Sequence, residues 1–211
     1  MKPGMKAETG RAFALSLVLV VAIAVAGCGG KRSERVLTFD DVIGVVGAAP
    51  DTPAGASYTT DGVTTELGPA DLRARARSAA DRATTAALVG AGLVRVYQRS
   101  FNGALNVADA TAYLFRGATG AGAAYTGLRA SLARQAGPDR KLEEVAADGF
   151  GDDAWGAHLS GGDEAALFVF RRSNLVVVTD MSCESSCGID IVGAARSYAK
   201  SIATRAAQVG S

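Results

Sequence analysis

Two pairs of carboxylates on either side of one predicted strand are the residues with the clearest chemical potential. Asp152 and Asp153 precede the strand, and Asp163 and Glu164 follow it. Paired carboxylates cleave glycosidic bonds in some enzymes and bind calcium in other proteins. Aspartate beside glycine is also typical of turns, because its side chain caps nearby backbone groups, and the spacing does not match a helix-loop-helix calcium site. We expect these four residues to shape turns, with a hydrolase that uses Asp152–Glu164 as the alternative.

The histidine content limits the catalytic chemistry that the chain can carry. His158 is the single histidine, which excludes a three-histidine zinc site and disfavours a Ser-His-Asp triad. Strand alternation places His158 on the face opposite Trp155, so we expect an exposed histidine and a core tryptophan, with a ligand-stacking Trp155 as the alternative. The glycine-rich segment 117–122 lacks both the dinucleotide fingerprint and the lysine of a phosphate loop. We therefore predict no catalytic group, no cofactor and no metal.

Composition and charge describe an ordinary globular protein. The 211 residues include 22 Lys and Arg against 21 Asp and Glu, and 48% are hydrophobic. A net charge of +1 provides no basic footprint for nucleic acid, so no nucleic-acid partner is expected. The apolar fraction is too high for a wholly disordered chain, and the length suits one domain.

The N-terminus has the parts of an export signal. Lys2, Lys6 and Arg11 precede an uncharged, mostly apolar run over residues 13–27. This run of 15 residues is short for a helix that spans a bilayer, which needs about 20 apolar residues. A basic flank, a short apolar run and small residues at its end are typical of a secretory signal.

The end of this signal has a more specific pattern. Val25-Ala26-Gly27-Cys28 resembles the lipobox of bacterial lipoproteins. The resemblance implies that residues 1–27 are a signal peptide, that Cys28 carries diacylglycerol, and that the mature chain is anchored on the extracytoplasmic face of the cell membrane. Two acyl chains provide stable anchoring where one binds only marginally. Residues 28–36 are then a flexible tether; an ordinary signal peptide or an uncleaved anchor is the alternative.

The two remaining cysteines predict a disulfide. With Cys28 assigned to lipid, Cys183 and Cys187 form an even pair in a protein expected in an oxidising compartment. Their loop is so short that its entropic stabilisation would be small, and shaping a turn is the expected role. Free, redox-active or metal-binding thiols are the alternatives, although a redox motif usually has two intervening residues and this one has three.

Hydrophobic periodicity predicts an α+β domain over residues 37–209. Hairpin-linked strands interrupted by helices indicate an antiparallel sheet of about five to six strands with helices packed on one face. The helices are expected over 40–47, 69–89, 121–135 and 190–207. The strands are expected over 92–101, 105–115, 141–147, 152–160, 165–171 and 175–181, with 63–65 as a further short strand.

The predicted helix over 69–89 has two faces. One face is expected to be buried and carries Leu72, Ala76, Ala79, Ala83 and Ala87. The other carries four arginines, namely Arg73, Arg75, Arg77 and Arg82. An anionic partner is one interpretation of the arginines. A solvated surface is favoured, because two aspartates are interspersed among them.

Short strings in the mature chain resemble known extracytoplasmic domains. They are Gly92-Leu93 with Tyr97-Gln98-Arg99 and Phe101, then Gly151-Asp152-Asp153-Ala154-Trp155, then the segment from Phe170 to Val178. The pattern resembles uncharacterised lipoproteins of actinobacterial type and is similar to extracytoplasmic sensor domains of bacterial Ser/Thr kinases. This likeness implies sensing or binding and transfers no catalytic residue.

We therefore expect a non-catalytic, lipid-anchored envelope protein that binds a small ligand, a lipid or another envelope component. An extracytoplasmic hydrolase and a structural envelope-assembly protein are the alternatives. An apolar pocket of roughly 300 Å³ or more would favour ligand binding. Two carboxylates about 5–10 Å apart in a cleft would favour the hydrolase.

Overall fold

The computed structural model describes residues 35–50, 58, 63–103, 106–134, 140–184 and 188–211, which belong to one compact unit. The helices are α1 (Phe39–Val46), α2 (Pro69–Arg75), α3 (Ala79–Gly90), α4 (Ala118–Ala133) and α5 (Ile191–Val209). The strands are β1 (Val63–Leu67), β2 (Leu93–Asn102), β3 (Asn106–Phe115), β4 (Lys141–Val145), β5 (Asp153–Ser160), β6 (Glu164–Arg172) and β7 (Leu175–Cys183). The predicted signal peptide, Cys28 and Cys187 lie outside the described residues. None of the helices within the described ranges combines the length and the apolar content needed to cross a membrane.

The strands form one antiparallel sheet in the order β1-β2-β3-β7-β6-β5-β4. The α+β prediction is confirmed. The expected number of five to six strands is wrong, because the described sheet contains seven. The seventh strand is β1, which includes the short strand expected over 63–65 and pairs with β2 from Val63 opposite Ser100 to Leu67 opposite Val96. Its threonines and exposed Val63 give β1 little of the apolar alternation that marks a strand in sequence.

Helices cover both faces of the sheet, so the prediction of helices on one face is wrong. On one side, called the α5 face, α5 packs over Phe168 and Val177, and α1 packs on α5, β2 and β3. On the other, called the α4 face, α4 packs over Val169 and Val176, and α3 packs on α4 and β2. A strand that is buried on both faces has a continuous apolar run instead of alternation. The apolar runs in β6 and β7 are of this kind. Because their side chains are apolar on both faces of the sheet, helices must cover both faces.

The predicted helix over 69–89 is two helices, α2 and α3. Ala76 has extended backbone, and a capping box starts α3: the Ser78 hydroxyl accepts from the Asp81 amide, and the Asp81 carboxylate accepts from the Ser78 amide, both at 2.9 Å. The expected buried stripe of alanines is also wrong, because α3 buries Thr85 and Leu88 instead. The change in direction at Ala76 resets the helical phase, so a stripe continued from α2 does not face the sheet in α3.

A buried amide joins the start of the domain to the centre of the sheet. Asn174 lies in the β6–β7 turn, beside Ser173, whose φ is 51°, and is 1% exposed. Its side chain accepts from the amide of Leu37 at 2.8 Å and donates to the carbonyl oxygens of Leu37 at 3.1 Å and Phe115 at 2.8 Å. This amide therefore satisfies three backbone groups that burial would otherwise leave without partners.

Helix α5 matches its prediction. Its N-cap is Asp190, whose carboxylate accepts from the Gly193 amide at 2.9 Å. The predicted buried stripe is confirmed and consists of Ile191, Ala195, Tyr198 and Ile202. The stripe packs mainly on β6 and β7 and closes the α5 face.

Candidate functional site

The first carboxylate pair stabilises a turn, as the sequence predicts. Arg171 binds both members, with its Nη1 2.9 Å from the Asp152 Oδ2 and its Nε 2.6 Å from the Asp153 Oδ2. The same Asp152 oxygen accepts from the backbone amide of Ser173 at 2.9 Å. Arg171 thus compensates two carboxylates, and neither of them is a free acid or base.

The second carboxylate pair lies at the opposite end of β5. The strand separates Asp153 from the turn that carries Asp163 and leads into Glu164, a distance of about 23 Å at 3.3 Å per residue. Carboxylates that act together on a glycosidic bond are about 5–10 Å apart. The geometry therefore gives no support to a hydrolase built from Asp152–Glu164.

His158 and Trp155 lie on opposite faces of β5, as predicted. Trp155 is 5% exposed in the core of the α4 face, and its Nε1 donates to the Glu144 Oε1 at 2.8 Å. It is a core anchor and not a stacking residue at a rim. His158 is half-buried on the α5 face, where its Nε2 is 3.8 Å from the Glu164 Oε2, so the expectation of an exposed histidine is wrong. No nucleophile contacts this imidazole among the residues that the structure describes.

The sheet contains a carboxylate pair that the sequence analysis missed. Asp109 of β3 lies directly opposite Asp180 of β7 on the α4 face. One oxygen of each carboxylate is buried without a hydrogen-bond partner in the described part of the chain. Burial, followed by the charge of Asp109, raises the pKa of Asp180 from 3.8 to about 6, and the positive charge of Arg140 acts in the opposite direction. The pair is thus suited to holding one proton.

A weak signal for this pair exists in the sequence. Aspartate is depleted from strands, so Asp109 and Asp180 in the middle of strand patterns were unusual. Their proximity depends on the pairing of β3 with β7, which are far apart in the chain. Within the described ranges, no three His, Cys, Asp or Glu side chains are grouped so that they could hold a metal ion.

An apolar groove with a volume of about 360 Å³ lies between α3 and α4, and we call it the α3–α4 groove. Leu88 and Leu128 are the buried leucines of its lining. Most of the other lining residues are small, and they are Ala83, Thr84, Ala87, Ala91, Ala123, Ala124, Gly127 and Ser131. Arg134 follows the last residue of α4 and, among the described residues, is the single charged residue of the lining.

A close approach of the backbone brings the two helices together. A Cβ atom at Gly120, in the first turn of α4, would lie 1.9 Å from the carbonyl oxygen of Ala91. Only glycine permits this approach between α4 and the turn that follows α3. Small side chains then leave the space between the helices open. The sequence analysis predicted these helices but expected α3 to bury its alanines, so it did not find the groove.

The predicted disulfide remains a prediction. Cys183 ends β7, is 4% exposed and lies opposite Asn106 of β3. It lines a smaller and more polar cavity of about 260 Å³ together with Asn106, Asp163 and Glu184. This position would let a bond to Cys187 shape the loop between β7 and α5.

No family model and no curated protein matches the chain. Among solved structures, the extracellular domain of PknH from Mycobacterium tuberculosis is similar, with 11% identity and a TM-score of 0.43 over 81% of this chain and 93% of that domain. An uncharacterised protein from Mycobacterium smegmatis is similar with 10% identity and a TM-score of 0.41, over 81% of this chain and 96% of that protein. At these values the likeness assigns no function to the chain.

Proposed function

We propose that this protein is a non-catalytic, lipid-anchored extracytoplasmic protein whose domain binds a small amphiphilic ligand in the α3–α4 groove. The groove is the observation that carries the proposal. Its volume of about 360 Å³ lies in the range of small-molecule sites, which is roughly 300–1,000 Å³. Its lining is mainly alanine, glycine and leucine, so an apolar chain fits better than a polar ligand.

Arg134 suggests the chemistry of the other end of the ligand. It is the only charged residue among the described residues of the lining, and a carboxylate or phosphate beside it would form charge-assisted hydrogen bonds. A single acyl chain with an anionic head group has both properties. The ligand class we propose is therefore the monoacyl anion, of which a fatty acid is the simplest example.

The proposed anchoring rests on the lipobox-like residues around Cys28. Export would place the domain outside the cytoplasm, and diacylglycerol on Cys28 would hold it at the membrane. Intact-mass measurement of the exported protein should show a diacylglyceryl group on a chain that begins at Cys28. Normal processing and membrane retention of a Cys28→Ala variant would contradict this part of the proposal.

The ligand site is tested by filling the groove. A Cβ at Gly127 would meet no atom within 4 Å, so Gly127→Leu should fold and place its side chain in the groove. We expect binding of the fluorescent fatty acid cis-parinaric acid to weaken about tenfold or more, or about 1.4 kcal/mol. Gly122→Leu is the matched control, because Gly122 also lies on α4 with open space but outside the groove lining. Equal binding by both variants would refute the site.

Arg134 is tested with a pair of ligands. Arg134→Gln should weaken binding of the fatty acid by up to about fivefold, the upper end of the range for one exposed ion pair. Binding of the corresponding fatty alcohol should not change, because it has no negative charge. If the variant weakens both ligands equally, Arg134 acts by packing and the anionic ligand class is wrong.

A further inference from the structure

Four arginines without ion-pair partners surround the junction of α2 and α3. Arg73 and Arg75 belong to α2, Arg77 lies between the helices, and Arg82 belongs to α3; all four are exposed. Among the described residues, no carboxylate lies within ion-pair distance of any of these four guanidinium groups. By contrast, Arg95 on the neighbouring strand β2 forms an ion pair with Glu66 of β1. We call these four residues the arginine surface.

The acidic residues of this segment offset only part of the charge of the arginine surface, and Asp81 interacts electrostatically with Arg82. Asp71 and Asp81 are the only acids between residues 68 and 92. The Asp71 carboxylate accepts from the backbone amide of Gly68 at 2.8 Å, and the Asp81 carboxylate accepts from that of Ser78 at 2.9 Å. Both aspartates therefore begin helices. The two aspartates keep their negative charge when they cap a helix, so four arginines against two aspartates leave residues 68–92 with a net charge of +2.

The surface also contains a small concavity. A cavity of about 230 Å³ lies between α2 and α3, and both Arg73 and Arg82 line it. Its other lining residues are small, namely Ala76, Thr85 and Ala86. Two guanidinium groups beside a shallow apolar depression suit an organic phosphate. The guanidinium groups would bind the phosphate, and the depression would hold the carbon groups next to it.

We infer that the arginine surface docks the domain onto a membrane of anionic phospholipid. The inference rests on the proposed anchoring at Cys28, which would keep the domain within reach of such a surface. Charge complementarity identifies the partner: an arginine near an anionic bilayer favours binding about fivefold, and several arginines act together. Docking would place the α3–α4 groove, which shares α3 with this surface, close to the lipid from which an acyl ligand would come.

The test measures amide hydrogen exchange of the full chain in the presence of two kinds of vesicle. The vesicles are pure phosphatidylcholine or phosphatidylcholine with about one-third phosphatidylglycerol, at about 0.1 M salt. We expect the amides of α3 (Ala79–Gly90) to exchange more slowly on the anionic vesicles, and the amides of α5, on the opposite face, to be unchanged. Raising the salt to about 0.5 M should remove the difference.

Matched substitutions separate this surface from total charge. Arg73→Gln with Arg77→Gln should weaken docking roughly 30-fold and remove the protection of α3. Arg196→Gln with Lys200→Gln removes the same charge from exposed positions on α5 and should leave the protection intact. Equal exchange of α3 on the two kinds of vesicle, or an equal loss in both double variants, would overturn the inference. An acidic protein as the true partner would give the first of these results.

Vesicle flotation tests the proposed anchor separately from the arginine surface. An anchored chain floats with pure phosphatidylcholine vesicles, whereas an unanchored chain does not. If flotation fails, the proposed anchoring is wrong. The protection of α3 on anionic vesicles, compared with the chain in buffer, still decides whether the arginine surface binds phospholipid.

Discussion

The Asp109–Asp180 pair should make the stability of the domain depend on pH. Burial and the neighbouring Asp109 raise the pKa of Asp180 from 3.8 to about 6, against the opposing charge of Arg140. One pKa unit corresponds to 1.36 kcal/mol, so ionisation of Asp180 reduces the free energy of unfolding by up to about 3 kcal/mol. This is a large share of the stability of a typical domain.

The sign follows from the direction of the shift. A carboxyl whose pKa is raised by folding binds protons more tightly in the folded state than in the unfolded state. Its contribution to stability is therefore complete below pH 3.8 and is lost as the pH rises to about 6 and above. Acids whose pKa is lowered by folding, such as Asp41, act in the opposite direction at lower pH.

Asp180→Asn isolates this contribution, because asparagine is neutral throughout the range. The variant and the parent chain should have similar free energies of unfolding near pH 4. By pH 7.5 the variant should be more stable by up to about 3 kcal/mol. Urea unfolding can be followed by the fluorescence of Trp155, the single tryptophan, which is buried. Asp163→Asn, which neutralises an exposed acid in the β5–β6 turn, should show no such difference.

Two results would refute this reasoning. If the difference between the Asp180→Asn variant and the parent does not change between pH 4 and 7.5, Asp180 does not titrate in this window. If the variant is less stable at pH 7.5, the ionised carboxylate has stabilising contacts that outweigh its burial.

Three further predictions concern the scaffold. Asn174→Ala should lower the free energy of unfolding by about 2–4 kcal/mol, because it leaves three buried backbone groups without partners; a loss under about 1 kcal/mol in urea unfolding would contradict this. Gly120→Ala should be destabilising because its Cβ would lie 1.9 Å from a backbone oxygen, whereas Gly122→Ala should be neutral or stabilising by up to about 1 kcal/mol. Thermal unfolding of the two variants tests this prediction, and equal midpoint temperatures would contradict the close approach at Gly120. Non-reducing peptide mapping of the exported protein should link Cys183 with Cys187, and two alkylatable thiols would contradict the disulfide.

The sequence predicted the fold class because strong local patterns mark most elements. The apolar runs of β6 and β7 and the buried stripe of α5 are local features, and both appear where they were expected. The same local approach failed at residues 69–89. There, alanine continued the helical pattern through Ala76, while the Ser78–Asp81 capping box, which is a signal only four residues long, started a new helix.

The candidate sites were harder to predict because they depend on contacts between distant segments. The α3–α4 groove requires two helices from different parts of the chain to approach at Gly120. The carboxylate pair requires the register that places Asp109 opposite Asp180. A sequence shows directly only carboxylates that are adjacent in the chain, such as Asp152 and Asp153. These two form ion pairs with Arg171.

The position of Asn174 determines where the domain would bear mechanical load. The described chain enters the core at Leu37, and the Asn174 amide joins Leu37 to the turn that begins β7. In the sheet, strand β7 is the fourth of the seven strands in the described part of the chain, with β3 and β6 on either side. Tension applied through the N-terminal segment therefore reaches a central strand directly. A central strand must break two ladders of hydrogen bonds to leave the sheet, whereas an edge strand such as β1 would peel away from one.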